Sequence, residues 1–227
     1  MKTFAYAAAA ALAFTAAPAM AQDWYAAQVE TETGHRVGNP EAEVQLVEFI
    51  SYTCPHCAHY AHDADAVMQL QYIPTGKVAV EVRPFIRNPV DLAASLLAGC
   101  GDADKFFGNH RAILSRQEVW LQKAMDASPA QTARWGSGSL GSRMRAISSD
   151  LGFYDIMESR GYSISEADAC LSDETAAQSI IGTTQDAADR LGVPGTPSFA
   201  LNGSLLQGVH TWPAVKASLD KALTPED

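Results

Sequence analysis

Between an apolar run and a stretch of helical spacing the chain places two cysteines: Cys54-Pro55-His56-Cys57. The run before them is Val44 to Ile50, Val-Gln-Leu-Val-Glu-Phe-Ile. Near-continuous apolar character over so short a length suits a central strand covered on both faces. Pro55 stands where a first-turn proline is tolerated, because its missing N–H would lack a helical partner anyway. Cys57, Tyr60, Ala61, Ala64, Val67 and Met68 then recur at helical spacing. Residues 78 to 85 alternate as a second strand does. Strand, helix and strand in that order predict a parallel β-α-β unit, with both sulfurs at the start of its helix.

The pattern turns helical from about Val90 to Arg190. Asp91 to Gly99, Phe106 to Leu114 and Val119 to Met125 read as helical segments, and Gly136 to Ser142 as a connector. Ser165 to Asp168 has the spacing to cap a short helix leading to Cys170. Thr175 to Leu191 reads as a longer helix stopped by Gly192. Strands return at Ser198 to Asn202 and Leu205 to Gln207, joined by Asn202-Gly203, a hairpin signal. Trp212 to Leu223 closes the chain as a helix. The predicted class is α/β, ordered β-α-β, a helical block, then β-β-α.

Lys2, the alanine-rich run Phe4 to Ala17 and the small residues of Ala19-Met20-Ala21 form a secretory leader pattern, cut after Ala21. The run is too short to cross about 30 Å of hydrocarbon as an anchor. Gln22, not cysteine, follows the cut, so no lipid anchor is expected. The mature chain is expected to be soluble and outside the cytosol, where disulfides persist. The whole chain carries 16 basic and 26 acidic residues, a net charge of −10. Such a surface repels nucleic-acid phosphates and gives no support for anionic lipid.

The two cysteines have a chemistry that this position explains. At a helix N-terminus, unpaired N–H groups and the helix dipole stabilise the Cys54 thiolate. His56 adds a positive charge or a hydrogen bond, and Cys57, one turn in, is shielded. Whatever stabilises the reduced form makes the disulfide a stronger oxidant. A structural bridge this tight adds little stability. Haem attachment needs His after the second cysteine, where Ala58 stands. Zinc would want a second close pair, and Cys100 and Cys170 are single.

Far along the chain, Val193-Pro194-Gly195-Thr196-Pro197-Ser198-Phe199 precedes a strand, and Pro197 is a candidate cis proline. With Gly38-Asn39-Pro40 leading into Val44 to Phe49, Cys54-Pro55-His56-Cys57 and the helical insertion, the chain resembles the DsbA-like group of the thioredoxin superfamily. The resemblance runs from about Val37 to Leu223. It implies a thioredoxin-like fold over residues 22–89 and 191–227, with an inserted helical domain at 90–190 and the leader at 1–21. It further implies Cys54 as attacking and Cys57 as resolving cysteine, supported by Pro55 and His56. It also implies a cis Thr196–Pro197 bond that lies against them, its backbone pairing with a substrate strand. Glu48 is implied as a buried acid that accepts or relays the Cys57 proton; the other reading is a strand-end glutamate that reaches solvent or pairs with Arg83. The group is periplasmic and is reoxidised by a membrane quinone-linked partner resembling DsbB.

The leading function is therefore a cofactor-free, monomeric enzyme that oxidises the dithiols of unfolded or reduced exported clients. An isomerase or reductase is the second reading. Threonine before the proline is shared with isomerases, but only residues 22 to 43 precede the first predicted strand, too few for their N-terminal dimerisation domain. A copper or zinc carrier using two thiolates is the third. Cys100 and Cys170 are expected to form a second, structural disulfide, since the other two are committed to each other. Its long loop would restrict the unfolded chain by roughly 4 kcal/mol. His35, His110 and His210 read as ordinary surface or satisfied residues.

Overall fold

The structure is a computed structural model that describes residues 22–224. The leader expected at 1–21 lies outside the described residues. Strands β1 (Gln28–Glu30), β2 (His35–Gly38), β3 (Val44–Ile50), β4 (Val78–Pro84), β5 (Ser198–Leu201) and β6 (Ser204–Leu205) form one sheet. Their order is β1-β2-β4-β3-β5-β6. Central β3 runs parallel to β4 and antiparallel to β5. Helix α1 (Pro55–Val67) links β3 to β4, which is the expected β-α-β unit. It passes directly into a π-helical turn, Met68–Tyr72, and a short 3-10 turn.

Why β3 is nearly all apolar follows from its two faces. Leu46 and Ile50 enter the main core, while Phe49 on the other face meets Ala187, Val193 and Ala200 in a smaller one. Each fully buried side chain of this size is worth about 1.5–3 kcal/mol. Glu48 alternates with Leu46 and Ile50, so the strand period sends its carboxyl inward; it is 7% exposed.

Two strands precede β3, whereas the sequence reading began the sheet at Val44. β1 and β2 are short, and their Gln, Glu, His and Arg side chains lack a strand pattern. Tertiary pairing makes them strands: β2 lies antiparallel to β4 from His35 opposite Val82 to Gly38 opposite Ala79. The C-terminal hairpin turns at Asn202 and Gly203, both with positive φ, 48° and 82°, as a type I′ turn demands.

Among the described residues nine further α-helices follow α1. They are α2 (Pro89–Ala98), α3 (Phe106–Leu114), α4 (Gln117–Met125), α5 (Pro129–Gly136), α6 (Leu140–Leu151), α7 (Phe153–Glu158), α8 (Ile164–Leu171), α9 (Glu174–Leu191) and α10 (Trp212–Ala222). The connector expected at 136–142 shrinks to three residues, because Ser128 with Gln131 caps α5 and Ser139 caps α6. The cap of α8 is Ser163 with Glu166, a full capping box two residues before the one expected. Leu46, Tyr60, Leu97, Trp120, Ile147 and Phe153 belong to one contiguous core, so sheet and helical block share it.

Cys100 and Cys170 form the expected disulfide, with Cα atoms 5.6 Å apart, tying the end of α2 to α8. Nearby, a cavity of about 130 Å³ opens between the β1–β2 turn, α2 and α9. Ser95 Oγ and His35 Nδ1 are buried beside it without hydrogen-bond partners.

Candidate active site

Cys54 is the N-cap of α1, with extended backbone (φ −98°, ψ 114°), and Pro55 occupies the first turn. Its carbonyl accepts from the N–H of Cys57 at 3.0 Å and of Ala58 at 3.3 Å. Cys54 and Cys57 are free thiols, both buried. The Cys54 Sγ–H donates to Thr196 O at 3.3 Å, across 142 residues of sequence. The Thr196–Pro197 peptide is cis. The Cys57 sulfur accepts from the Ser51 N–H at 3.5 Å.

The two sulfurs have opposite acidities. Cys54 is pushed down to about 5, first by a hydrogen bond from the Cys57 thiol, against burial, then by Thr196 and the backbone N–H groups of Cys57 and His56. Burial pushes Cys57 far up, and the neighbouring Cys54 sulfur adds to the rise. The site therefore presents one thiolate and one retained proton at neutral pH, which is the asymmetry that thiol exchange requires.

Glu48 accepts from the Tyr60 hydroxyl at 2.7 Å. Burial pushes its carboxyl up to about 8, with the Tyr60 bond opposing. The alternative pairing with Arg83 does not occur: Arg83 is bound to Glu81 at 2.8 Å. Tyr60 packs on Phe199, just after the cis-proline loop, with ring centroids 4.6 Å apart.

His56 departs from the sequence reading. Its imidazole is exposed and makes no hydrogen bond to the Cys54 sulfur; its backbone N–H supplies the stabilisation. The side chain instead lines an open groove with Thr196, Pro197 and His210, about 480 Å³ in volume. His210, read as ordinary from sequence, donates from Nδ1 to Pro197 O at 2.8 Å. His110 is satisfied by the Tyr52 hydroxyl at 2.9 Å. His35 stacks on Phe106, with centroids 3.8 Å apart, and burial lowers it to about 4.

Further residues at the site left no sequence signal. Asp91 of α2, fully buried, accepts from Ser51 Oγ at 2.6 Å and Tyr52 N–H at 2.7 Å. Gln117, at the start of α4, donates to Tyr52 O at 2.6 Å and Cys54 O at 2.9 Å. These partners lie 39 to 65 residues from the loop they hold. Among the described residues, no cluster of three or more His, Cys, Asp or Glu is arranged to hold a metal.

A dithiol at a helix N-terminus, faced by a cis proline on a mixed sheet, defines a thioredoxin-type redox protein. Residues 30–221 match the Thioredoxin family. The chain belongs to that family. It is 39% identical to the crystal structure of a protein-disulfide isomerase from Novosphingobium aromaticivorans, with a TM-score of 0.80 over 85% of this chain and 99% of that one. Wolbachia pipientis alpha-DsbA1 shares the fold at 19% identity, with a TM-score of 0.66 over 82% of this chain and 89% of that one. A Rickettsia bellii protein provisionally assigned as a protein-disulfide oxidoreductase is 31% identical over 188 residues, 82% of this chain. The chain spans 63% of that relative's length and 59% of the Rickettsia felis one.

Proposed function

We propose that the protein is an exported oxidase that introduces disulfide bonds into client proteins through Cys54 and Cys57. The observation that carries this reading is the split in acidity between the two sulfurs, about 5 at Cys54 against a strongly raised Cys57. A stabilised Cys54 thiolate favours the reduced protein, so the disulfide gives up its oxidising equivalents readily.

A client thiolate attacks Cys54 Sγ of the Cys54–Cys57 disulfide. The Cys54–Cys57 bond breaks, a client–Cys54 mixed disulfide forms, and Cys57 leaves as a thiolate. Glu48, protonated at neutral pH, gives that thiolate its proton. A second client thiolate attacks the client sulfur, releasing oxidised client and a Cys54 thiolate. Thr196 and Pro197 position the client strand, Pro55 starts the helix, and His56 lines the groove the client enters.

Clients on this reading are reduced or unfolded exported proteins, and reoxidation falls to a quinone-linked membrane partner resembling DsbB. The compartment is the periplasm, reached through the leader at residues 1–21, and the protein works as a monomer without a cofactor. The division into a thioredoxin-like domain, 22–89 and 191–227, and a helical domain, 90–190, belongs to the same proposal. Among the described residues no helix is long and apolar enough to cross a membrane.

The test is the equilibrium of the Cys54–Cys57 pair with glutathione, and a potential well above that of cytosolic reductants is expected. A potential as low as theirs would overturn the oxidase reading in favour of a reductase. Isomerase activity is the second reading, favoured by the Novosphingobium neighbour. Turnover of a scrambled substrate without net oxidation would support it, while turnover only of a reduced substrate supports the oxidase.

A further inference from the structure

Gln117 is 4% exposed, and its side chain reaches from the helical block to the loop that carries Cys54. One carboxamide nitrogen donates to two carbonyls, Tyr52 O at 2.6 Å and Cys54 O at 2.9 Å. The Cys54 carbonyl is also the first acceptor of α1, already bonded by the N–H groups of Cys57 and Ala58. Its third donor thus comes from α4. Asp91 takes the loop from the other side, through the Ser51 hydroxyl and the Tyr52 N–H. Residues 51–54 are held between one carboxylate and one carboxamide, both from the helical block.

That hold bears on the sulfur. The backbone N–H groups of His56 and Cys57 stabilise the Cys54 thiolate. They aim at it only while the first turn of α1 stays in place, and the Cys54 carbonyl anchors that turn. A buried N–H donor on this carbonyl also polarises the peptide beside the sulfur in the sense that favours an anion. Methionine would match glutamine in length without offering a donor, and glutamate would turn oxygen lone pairs toward two carbonyl oxygens.

We infer that Gln117 is a positioning residue for Cys54: it holds the first turn of α1 where its N–H groups meet the sulfur, and so makes the helical block part of the redox centre. The inference rests on Cys54 being the attacking cysteine. Its test uses the full chain, wild type against Gln117→Met, with three readouts: ultraviolet thiolate absorbance against pH, equilibrium with glutathione, and thermal melting. In the Met variant the Cys54 midpoint is expected to rise by roughly one pH unit, a tenfold loss of thiolate affinity. The glutathione equilibrium should move toward the disulfide, making a weaker oxidant. A lower melting temperature with midpoint and equilibrium unchanged would overturn the inference, leaving Gln117 a purely structural residue. Should Gln117→Met fail to fold, Gln117→Asn decides by the same criterion, being neutral and polar but too short to reach both carbonyls. A wild-type midpoint at the ordinary thiol value would instead sink the assignment of Cys54, a separate outcome.

Discussion

Glu48 carries a cost that can be measured. In the unfolded chain it ionises at its ordinary value near 4.5, but in the fold burial holds the proton up to about 8. Between those values the folded state binds more protons, so stability falls as pH rises through the window. Glu48→Gln keeps an acceptor for the Tyr60 hydroxyl and removes the ionisation. It should stabilise the protein by about 2–3 kcal/mol at pH 7 and by almost nothing at pH 4. Urea titrations of both proteins across pH check this, and a constant difference would show that ionisation is not the cause. His56→Ser keeps the backbone N–H that meets the sulfur and deletes an exposed imidazole. It should raise the Cys54 midpoint by less than about one pH unit, as thiolate absorbance would report. At this scale the sequence was legible where a residue type and a neighbour define the chemistry: Cys54, Cys57 and Pro197 stood out. Gln117, Asp91 and His210 did not, because each acts on a backbone carbonyl or N–H that only the fold brings near.

At the scale of elements, strands and helices with strong apolar patterns were found, and those made by pairing or caps were not. β3 and β4 are buried, and their Val and Leu content says so. β1, at the sheet edge, and β2, between it and β4, are short strands rich in Gln, Glu, His and Arg; β2 is held by its ladder to β4 and β1 by its ladder to β2. α5 and α6 are started by serine caps that the Gly136 to Ser142 region disguised as a loop. The hairpin β1–β2 also explains a glycine. A Cβ at Gly34 would stand 2.1 Å from the Val82 carbonyl oxygen, a backbone atom that cannot step aside. Gly34→Ala should therefore cost about 2 kcal/mol or more, the range of overpacked sites. Denaturant midpoints would show it, and hydrogen exchange should localise the loss to β1 and β2. Wild-type stability in this variant would mean that the hairpin sits further from β4.

For the whole molecule, the main core and the Cys100–Cys170 tie set stability. Sheet and helical block share their buried residues, and the Cys100–Cys170 bridge joins positions 70 residues apart. Replacing both cysteines by alanine should lower stability by up to about 4 kcal/mol while leaving dithiol exchange in place. Thiol counting in a Cys54→Ser, Cys57→Ser background checks the bridge itself: denatured without reductant, that protein should show no free thiol. The strand order has a consequence in time. Leu46 of β3 pairs with Leu201 of β5, so the middle of the sheet waits for nearly the whole chain. At synthesis rates of about 5–20 residues per second, that delay is roughly 8–30 seconds. Throughout it Cys54 and Cys57 have neither Thr196 nor Pro197 beside them. Until that delay ends, the growing chain carries the cysteines of the dithiol and of the bridge without the folded surroundings that tell the two pairs apart.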